Sequence, residues 1–248
     1  MKKLRLILGD QLNHEHSWFD EKDREVLYVM TEMRQETDYV KHHIQKVVAF
    51  FMSMRNFATH LKENGHPIRY YKISDKDNPH ELTALLSNLI SEEKIECFEY
   101  QLPDEYRLDV QLKDFCESLK IDFKAFDTEH FYTSRTELTE FFEGKKMLLM
   151  ENFYRMMRKK HHILMQGAQP EGNLWNFDKD NRLKYKGQVP VPNAIGFNQN
   201  IEEILSEIQK ANVATFGKID SKNFNWPSSR KACLEQLDYF CTHLLKHF

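Results

Sequence analysis

The sequence predicts an α/β protein: a Rossmann-like, five-stranded parallel sheet with helices on both faces, then a long linker and C-terminal helices. Three observations carry this. Five short runs rich in β-branched and aromatic residues punctuate the first 126 residues. Stretches of helical period separate the later ones. Strands alternating with helices build βαβ units, whose right-handed crossovers give a parallel sheet covered on both sides. Ligands on such sheets sit beyond the carboxyl ends of the strands, where strand order reverses.

The elements follow in order. Residues 4–8 (LRLIL), 26–30 (VLYVM), 68–73 (IRYYKI), 95–100 (IECFEY) and 121–126 (IDFKAF) read as strands. Residues 39–63 form the clearest helix, because Val40, Ile44, Val47, Val48, Phe51, Met54, Ala58 and Leu61 recur at steps of three and four. Thr37 or Asp38 is placed to cap it, and Asn64-Gly65 to stop it. Residues 80–92 and 107–119 are shorter helices by the same logic. The α/β domain is thus drawn over 1–135 and a helical extension over 136–165. Residues 166–200, Pro/Gly-bearing and without period, read as a connector, and 201–248 as a further helical segment. The chain stops within an apolar helical pattern at 244–248, which reads as a cut.

Composition narrows the function classes. The chain has 248 residues, 41% hydrophobic and 29% charged, the balance of a folded globular protein. Its net charge of −3 excludes a global basic field, so any nucleic-acid contact must be a local patch. Cys97, Cys116, Cys233 and Cys241 lie far apart with no CxxC, which argues for reduced buried thiols and against a disulfide scaffold or a zinc site. The apolar run after Lys2-Lys3 is too short for a signal peptide or a membrane span, so a cytoplasmic location is expected.

Several groups of residues could carry chemistry. Gly9-Asp10-Gln11-Leu12 follows the first strand; it is either a plain β-to-α turn or a ligand-binding loop. It is neither a dinucleotide loop nor a P-loop, since GxGxxG and GxxxxGK[ST] are both missing. Glu32 and Glu36 follow the second strand. Tyr39, His43, Lys46 and Phe50 then make a mixed aromatic–polar stripe able to wall a planar ligand. His42-His43 has the wrong spacing for a metal site. Asp104 and Glu105 either complement a helix N-terminus or form a further wall of that pocket. Residues 150–165 (MENFYRMMRKKHHILM) place Arg155, Lys159 and His162 on one face, with Arg158 and Lys160 nearby, and no acid from 152 to 165. That face is either a solvated flank or a phosphate-binding surface. Trp175 and Phe177 in a loop need a neighbouring domain or a base to pack on, and 178–182 suggests a local turn. No nucleophile–base pattern emerges, so no catalytic residue is assigned. On these residues alone the chain is an α/β binding domain with an unknown ligand.

Together, ILGDQL, the helix with HH and its MRNF run, MENFYRMMRKK and QPEGNLWNFDKDNR resemble the amino-terminal half of the deoxyribodipyrimidine photolyase-related proteins, the bacterial iron–sulfur cryptochrome and (6-4) photolyase branch. The resemblance runs from about residue 4 to the end and implies that the first domain is a photolyase-type antenna domain. It implies a pocket for 6,7-dimethyl-8-ribityllumazine formed by Gly9, Asp10, Gln11, Leu12, Glu36, Tyr39 and Phe50, with Glu105 as a further member. It implies damaged DNA as a partner, approached by Arg155, Arg158, Lys159 and Lys160. FAD, a 4Fe–4S cluster and the catalytic domain belong to the family's other half, to which residues 201–248 would lead. This chain is therefore not expected to repair DNA alone, and 166–248 are expected to lack a packing partner. The competing readings are a stand-alone nucleotide- or flavin-binding regulatory module and a pure interaction module.

Overall fold

A computed structural model describes residues 1–176, 184, 186–187, 189–245. Phe177, the turn expected at 178–182 and the last part of the 244–248 pattern lie outside the described residues.

The five expected strands are present as β1 (Lys3–Leu6), β2 (Val26–Thr31), β4 (Ile68–Tyr71), β5 (Cys97–Gln101) and β6 (Asp122–Phe126). They form one sheet, all parallel, in the order β4-β2-β1-β5-β6. The order reverses at β1: the chain steps outward to β2 and β4, then returns to β5 on the other side of β1. Both faces of the sheet are covered. On one, Ile7, Tyr28 and Met30 pack with Val47, Val48, Phe51, Met54 and Phe57 of helix α2 (Ile44–Glu63). On the other, Leu4, Leu6, Val29 and Phe98 pack with α3 (Leu82–Glu92) and α4 (Tyr106–Ser118). β2 is apolar on consecutive residues because neither of its faces meets water, whereas β1 alternates Leu4 and Leu6 with the half-buried Lys3 and Arg5, and Arg5 pairs with the buried Glu99 of β5 at 2.7 Å.

The long helix starts later than its spacing suggests. Residues 34–38 form a separate short helix, α1 (Arg34–Asp38). The chain then extends through β3 (His42–His43) before α2 begins. The cap is neither Thr37 nor Asp38: His43 Nδ1 accepts from the Gln45 backbone N–H at 3.2 Å. The stop falls as expected, with Asn64 at the C-cap and Gly65 at φ +83°.

Two compact units result, one of residues 1–128 with 194–239, the other of 129–193 with 240–248. This division differs from the sequence-drawn one at 135, 165 and 200. Residues 194–239 do not lack a partner. Helix α7 (Glu202–Lys210) buries Ile204 and Ile208 in the same core as α2, joined by Ile201, Val213 and Phe224. Beyond it, β9 (Thr215–Phe216) pairs in parallel with β3, and α8 (Arg230–Tyr239) follows.

Charge holds this arm as well as apolar burial. Glu32, at the carboxyl end of β2, is wholly buried. Its Oε1 accepts from Arg55 Nε at 2.6 Å and from the Tyr70 hydroxyl at 2.6 Å. Its Oε2 accepts from Arg55 Nη2 and from the Ile73 N–H, both at 2.9 Å. Arg55 reaches on to Glu207 of α7 at 2.5 Å, and Lys72 binds Glu207 and Glu203 at 2.8 and 3.0 Å. Burial, then the Glu32 charge, push the Tyr70 phenol well above its ordinary range, so it stays a donor.

The second unit holds α5 (Glu137–Phe142), α6 (Met150–His161) and a short antiparallel pair, β7 (Met165–Gln166) with β8 (Gln169–Pro170). Phe141 and Phe142 of α5 pack on Phe153 of α6. The helical extension expected over 136–165 is thus two helices, broken near Gly144, where φ is +69°. Among the described residues no helix is long and apolar enough to cross a membrane. Of the four thiols, Cys97 and Cys116 are buried as expected, while Cys233 and Cys241 are exposed; all four are free.

Candidate functional site: a cavity at the carboxyl edge of the sheet

A cavity of about 240 Å³ opens beyond the carboxyl ends of β1 and β2. Its floor is apolar: Leu6, Ile7 and Leu8 from the first strand and its exit, Met33 after β2, Val47, Phe51 and Met54 of α2, Leu82 of α3 and Leu108 of α4. Its polar groups come from Asp10, Thr31, Glu32, Glu36, Thr37, Tyr39, His42, Lys46 and Glu105. The switch in strand order puts these segments side by side, as expected for a doubly wound sheet.

Six of the eight residues that the resemblance assigned to a pocket meet here, Gly9, Asp10, Glu36, Tyr39, Phe50 and Glu105, and so do Glu32 and Lys46, singled out beside them. Gln11 and Leu12 do not line the cavity. The buried Gln11 amide ties the turn together instead: Oε1 accepts from the Leu8 N–H at 3.0 Å and Nε2 donates to the Gln101 carbonyl at 3.1 Å. Leu12 packs against the α2-side core. Gly9 matters for closeness of a different kind. A Cβ there would lie 3.0 Å from Met54 Sδ and 3.5 Å from the Phe50 ring, so the missing side chain lets α2 close over the loop.

The aromatic–polar stripe is real but is assembled from two elements. Tyr39 ends α1, and Lys46 and Phe50 lie on α2. His43 turns away, its ring set against Phe216 at 5.2 Å, and His42 takes its place at the cavity. Lys46 Nζ lies 3.3 Å from His42 Nδ1 and 5.8 Å from the centre of the Phe50 ring.

Sequence reading missed the role of Arg107, the second residue of α4. Its guanidinium holds Glu36 through two bonds, Nη1 to Oε1 at 3.2 Å and Nη2 to Oε2 at 2.6 Å. Nη2 also lies 3.0 Å from Glu105 Oε2, and the group sits 4.6 Å over the Tyr39 ring. The hydrogen bond it donates to Glu36, then the adjoining negative charges, raise the guanidinium pKa above its ordinary value, against partial loss of water. One signal could have found it: an arginine two residues after an N-terminal glutamate is free to fold back across the helix start.

The basic helix carries less open charge than its sequence suggests. Acids from outside the 152–165 window reach it. Arg155 pairs with Glu151 at 2.5 Å, and Lys160 pairs with Glu137 of α5. Arg158 is buried, 6% exposed, and donates to the Ile163 and Leu164 carbonyls, closing the turn after α6. Arg155, Arg158 and Lys159 all lie 5.2–5.4 Å from the centre of the Trp175 ring. That ring, with Tyr154, Glu151 and Glu171, lines an open hollow of about 620 Å³.

The (6-4) photolyase of Agrobacterium fabrum is 32% identical over 256 residues, covering 100% of this chain and 49% of that protein. The chain therefore spans about half the length of this relative. An uncharacterised protein of Acanthamoeba polyphaga mimivirus is 22% identical over 199 residues, 76% of this chain and 98% of its own length. Residues 5–226 match the family described as deoxyribodipyrimidine photo-lyase-related protein, and the chain belongs to that family.

Proposed function

We propose that the chain is the antenna-chromophore-binding half of a photolyase- or cryptochrome-related protein. The observation that carries this is the cavity itself, which gathers Gly9, Asp10, Glu36, Tyr39, Phe50 and Glu105 at the carboxyl edge of the sheet. Its volume of about 240 Å³ is below the roughly 300 Å³ at which drug-sized sites begin, so it suits a compact planar ring rather than a dinucleotide. Apolar walls interspersed with the polar side chains of Asp10, Glu36, Tyr39 and Glu105 fit a heterocycle such as 6,7-dimethyl-8-ribityllumazine. When bound, that group supplies absorption of near-UV to blue light and passes excitation to FAD in the family's other half. Tyr39 and Phe50 would flank the ring, while Asp10, Glu36 and Glu105 would accept from its N–H and hydroxyl groups. The parent activity is light-driven repair of pyrimidine lesions or blue-light signalling. The four free thiols suit a reducing compartment, in keeping with the cytoplasm.

Freshly purified protein should show a lumazine-like band. The double variant D10A/E36A should retain at most a tenth of it while keeping its far-UV circular dichroism. A band that survives this change would place the chromophore elsewhere. The mimivirus relative, which consists almost wholly of the aligned region, favours a second reading: a stand-alone flavin- or nucleotide-binding module. Release of a flavin or nucleotide in place of lumazine would select it.

Damaged DNA is the proposed macromolecular partner, through α6. Arg158 is committed to closing its turn and Lys160 to Glu137 of another helix, whereas Arg155 is paired only along its own helix with the half-exposed Glu151, so Arg155 and Lys159 would carry the phosphate contacts. The variant R155E/K159E should lower affinity for duplex DNA at least tenfold and flatten its salt dependence by about two charges' worth of slope. Unchanged binding would remove α6 from the interface.

A further inference from the structure

Two carboxylates that line the cavity differ in what they can still accept. Both oxygens of Glu32 are taken twice over by the protein: Oε1 by Arg55 and the Tyr70 hydroxyl, Oε2 by Arg55 and the Ile73 N–H. Glu32 therefore has nothing left for a ligand. Glu36 is filled on one side only. Its Oε1 accepts from Arg107 Nη1 at 3.2 Å and from Gln35 Nε2 at 3.1 Å. Its Oε2 accepts from Arg107 Nη2 at 2.6 Å and keeps one acceptor position among the described residues.

Gln35 and its partner Gln111 both stand outside the lining. Gln35 Oε1 accepts from the Leu82 N–H at 2.9 Å, at the start of α3. Its Nε2 also donates to Gln111 Oε1 at 2.7 Å, and Gln111 Nε2 returns a bond to Gln35 Oε1 at 3.3 Å. Gln111 lies one turn beyond Arg107 on α4, and its Nε2 also reaches Glu81, the cap of α3, at 3.2 Å. The Leu82 N–H calls for the oxygen of Gln35, and Gln111 offers an acceptor and a donor in the matching places. Turned over, the Gln35 amide would set its oxygen against an oxygen of Glu36. Helices α3 and α4 thus decide which end of Gln35 meets the carboxylate.

We propose that Gln111 is a positioning residue of this cavity: through Gln35 it holds the Glu36 carboxylate with Oε1 spent and Oε2 ready to accept one N–H or O–H of the ligand. The inference rests on the antenna reading, and adds the atom that receives the ligand's donor and the amide pair that fixes it.

The test is a fluorescence titration of the whole chain, freed of copurifying pigment, with 6,7-dimethyl-8-ribityllumazine. Q111M keeps the length of the side chain and removes both of its hydrogen-bonding ends, and should weaken binding about three- to tenfold. Q111A, a second removal at this half-buried position, should do the same. In an E36A background either change should move the affinity by no more than about 1.5-fold, because the group it orients is gone. A role in packing alone would cost as much with Glu36 absent as with it present. Equal losses in the two backgrounds, or Q111M and Q111A binding like the unaltered chain, would overturn the proposal and leave the antenna reading in place. Failure of the unaltered chain to bind would overturn both.

Discussion

Replacing Arg55 with alanine should destabilise the protein by about 3–5 kcal/mol. The Glu32 carboxylate is wholly buried and takes two of its four hydrogen bonds from Arg55. Removing one partner of a buried pair leaves a charge with nowhere to go, a larger penalty than the pair's net worth. The same change strips Glu207 of its 2.5 Å contact and loosens α7. Urea unfolding followed by tryptophan fluorescence would measure the loss. A shift below about 1 kcal/mol would mean that water reaches Glu32 and the network is not buried. The double variant R55A/E32Q should recover part of the loss, because no charge is left stranded: the uncharged amide oxygen can still accept from the Ile73 N–H, and its NH2 can donate to the Tyr70 hydroxyl oxygen.

The second large effect is expected at Gly217. Its φ of +87° disfavours any side chain, and a Cβ there would lie 1.9 Å from His43 Nε2. G217A should cost about 2–3 kcal/mol, from backbone strain together with displacement of the ring that caps α2. His43 is held at a helix start and cannot swing away as the end of a lysine would. Combining G217A with H43A removes the overlap, so the pair should be less damaging than the two single losses added. Thermal unfolding of the four proteins closes this cycle; strict additivity would show that the ring yields freely and that only the dihedral matters.

The sheet was legible in the sequence because its strands appear as short runs rich in aliphatic and aromatic residues: β2 is apolar on consecutive residues, as a strand buried on both faces requires, while β1 alternates Lys3 and Arg5 with Leu4 and Leu6, and β5 carries the buried Glu99. The cavity was legible for the same reason: its loops follow those strands directly. The break at 39–43 was not, since Tyr39, Val40 and His43 continue the helical spacing although the backbone there is extended at His43. Nor was Arg107, whose role depends on Glu36, 71 positions away. The open charge of α6 was overestimated because Glu137 lies outside the window in which acids were counted. Position 207 gave no warning at all: a glutamate on a helix reads as solvated, and only the fold brings it to Arg55.

The return of α7 to the α/β unit bears on how the chain is made. Synthesis runs from the amino terminus at about 5–20 residues per second. All five strands of the sheet are synthesised once residue 126 has been added, and they emerge well before Glu207 does. For that interval Arg55 holds Glu32 without its outer counter-charge, and the α2 face waits bare for Ile204 and Ile208. A nascent chain arrested before α7 emerges should therefore be cut by protease far more readily than one arrested after α8.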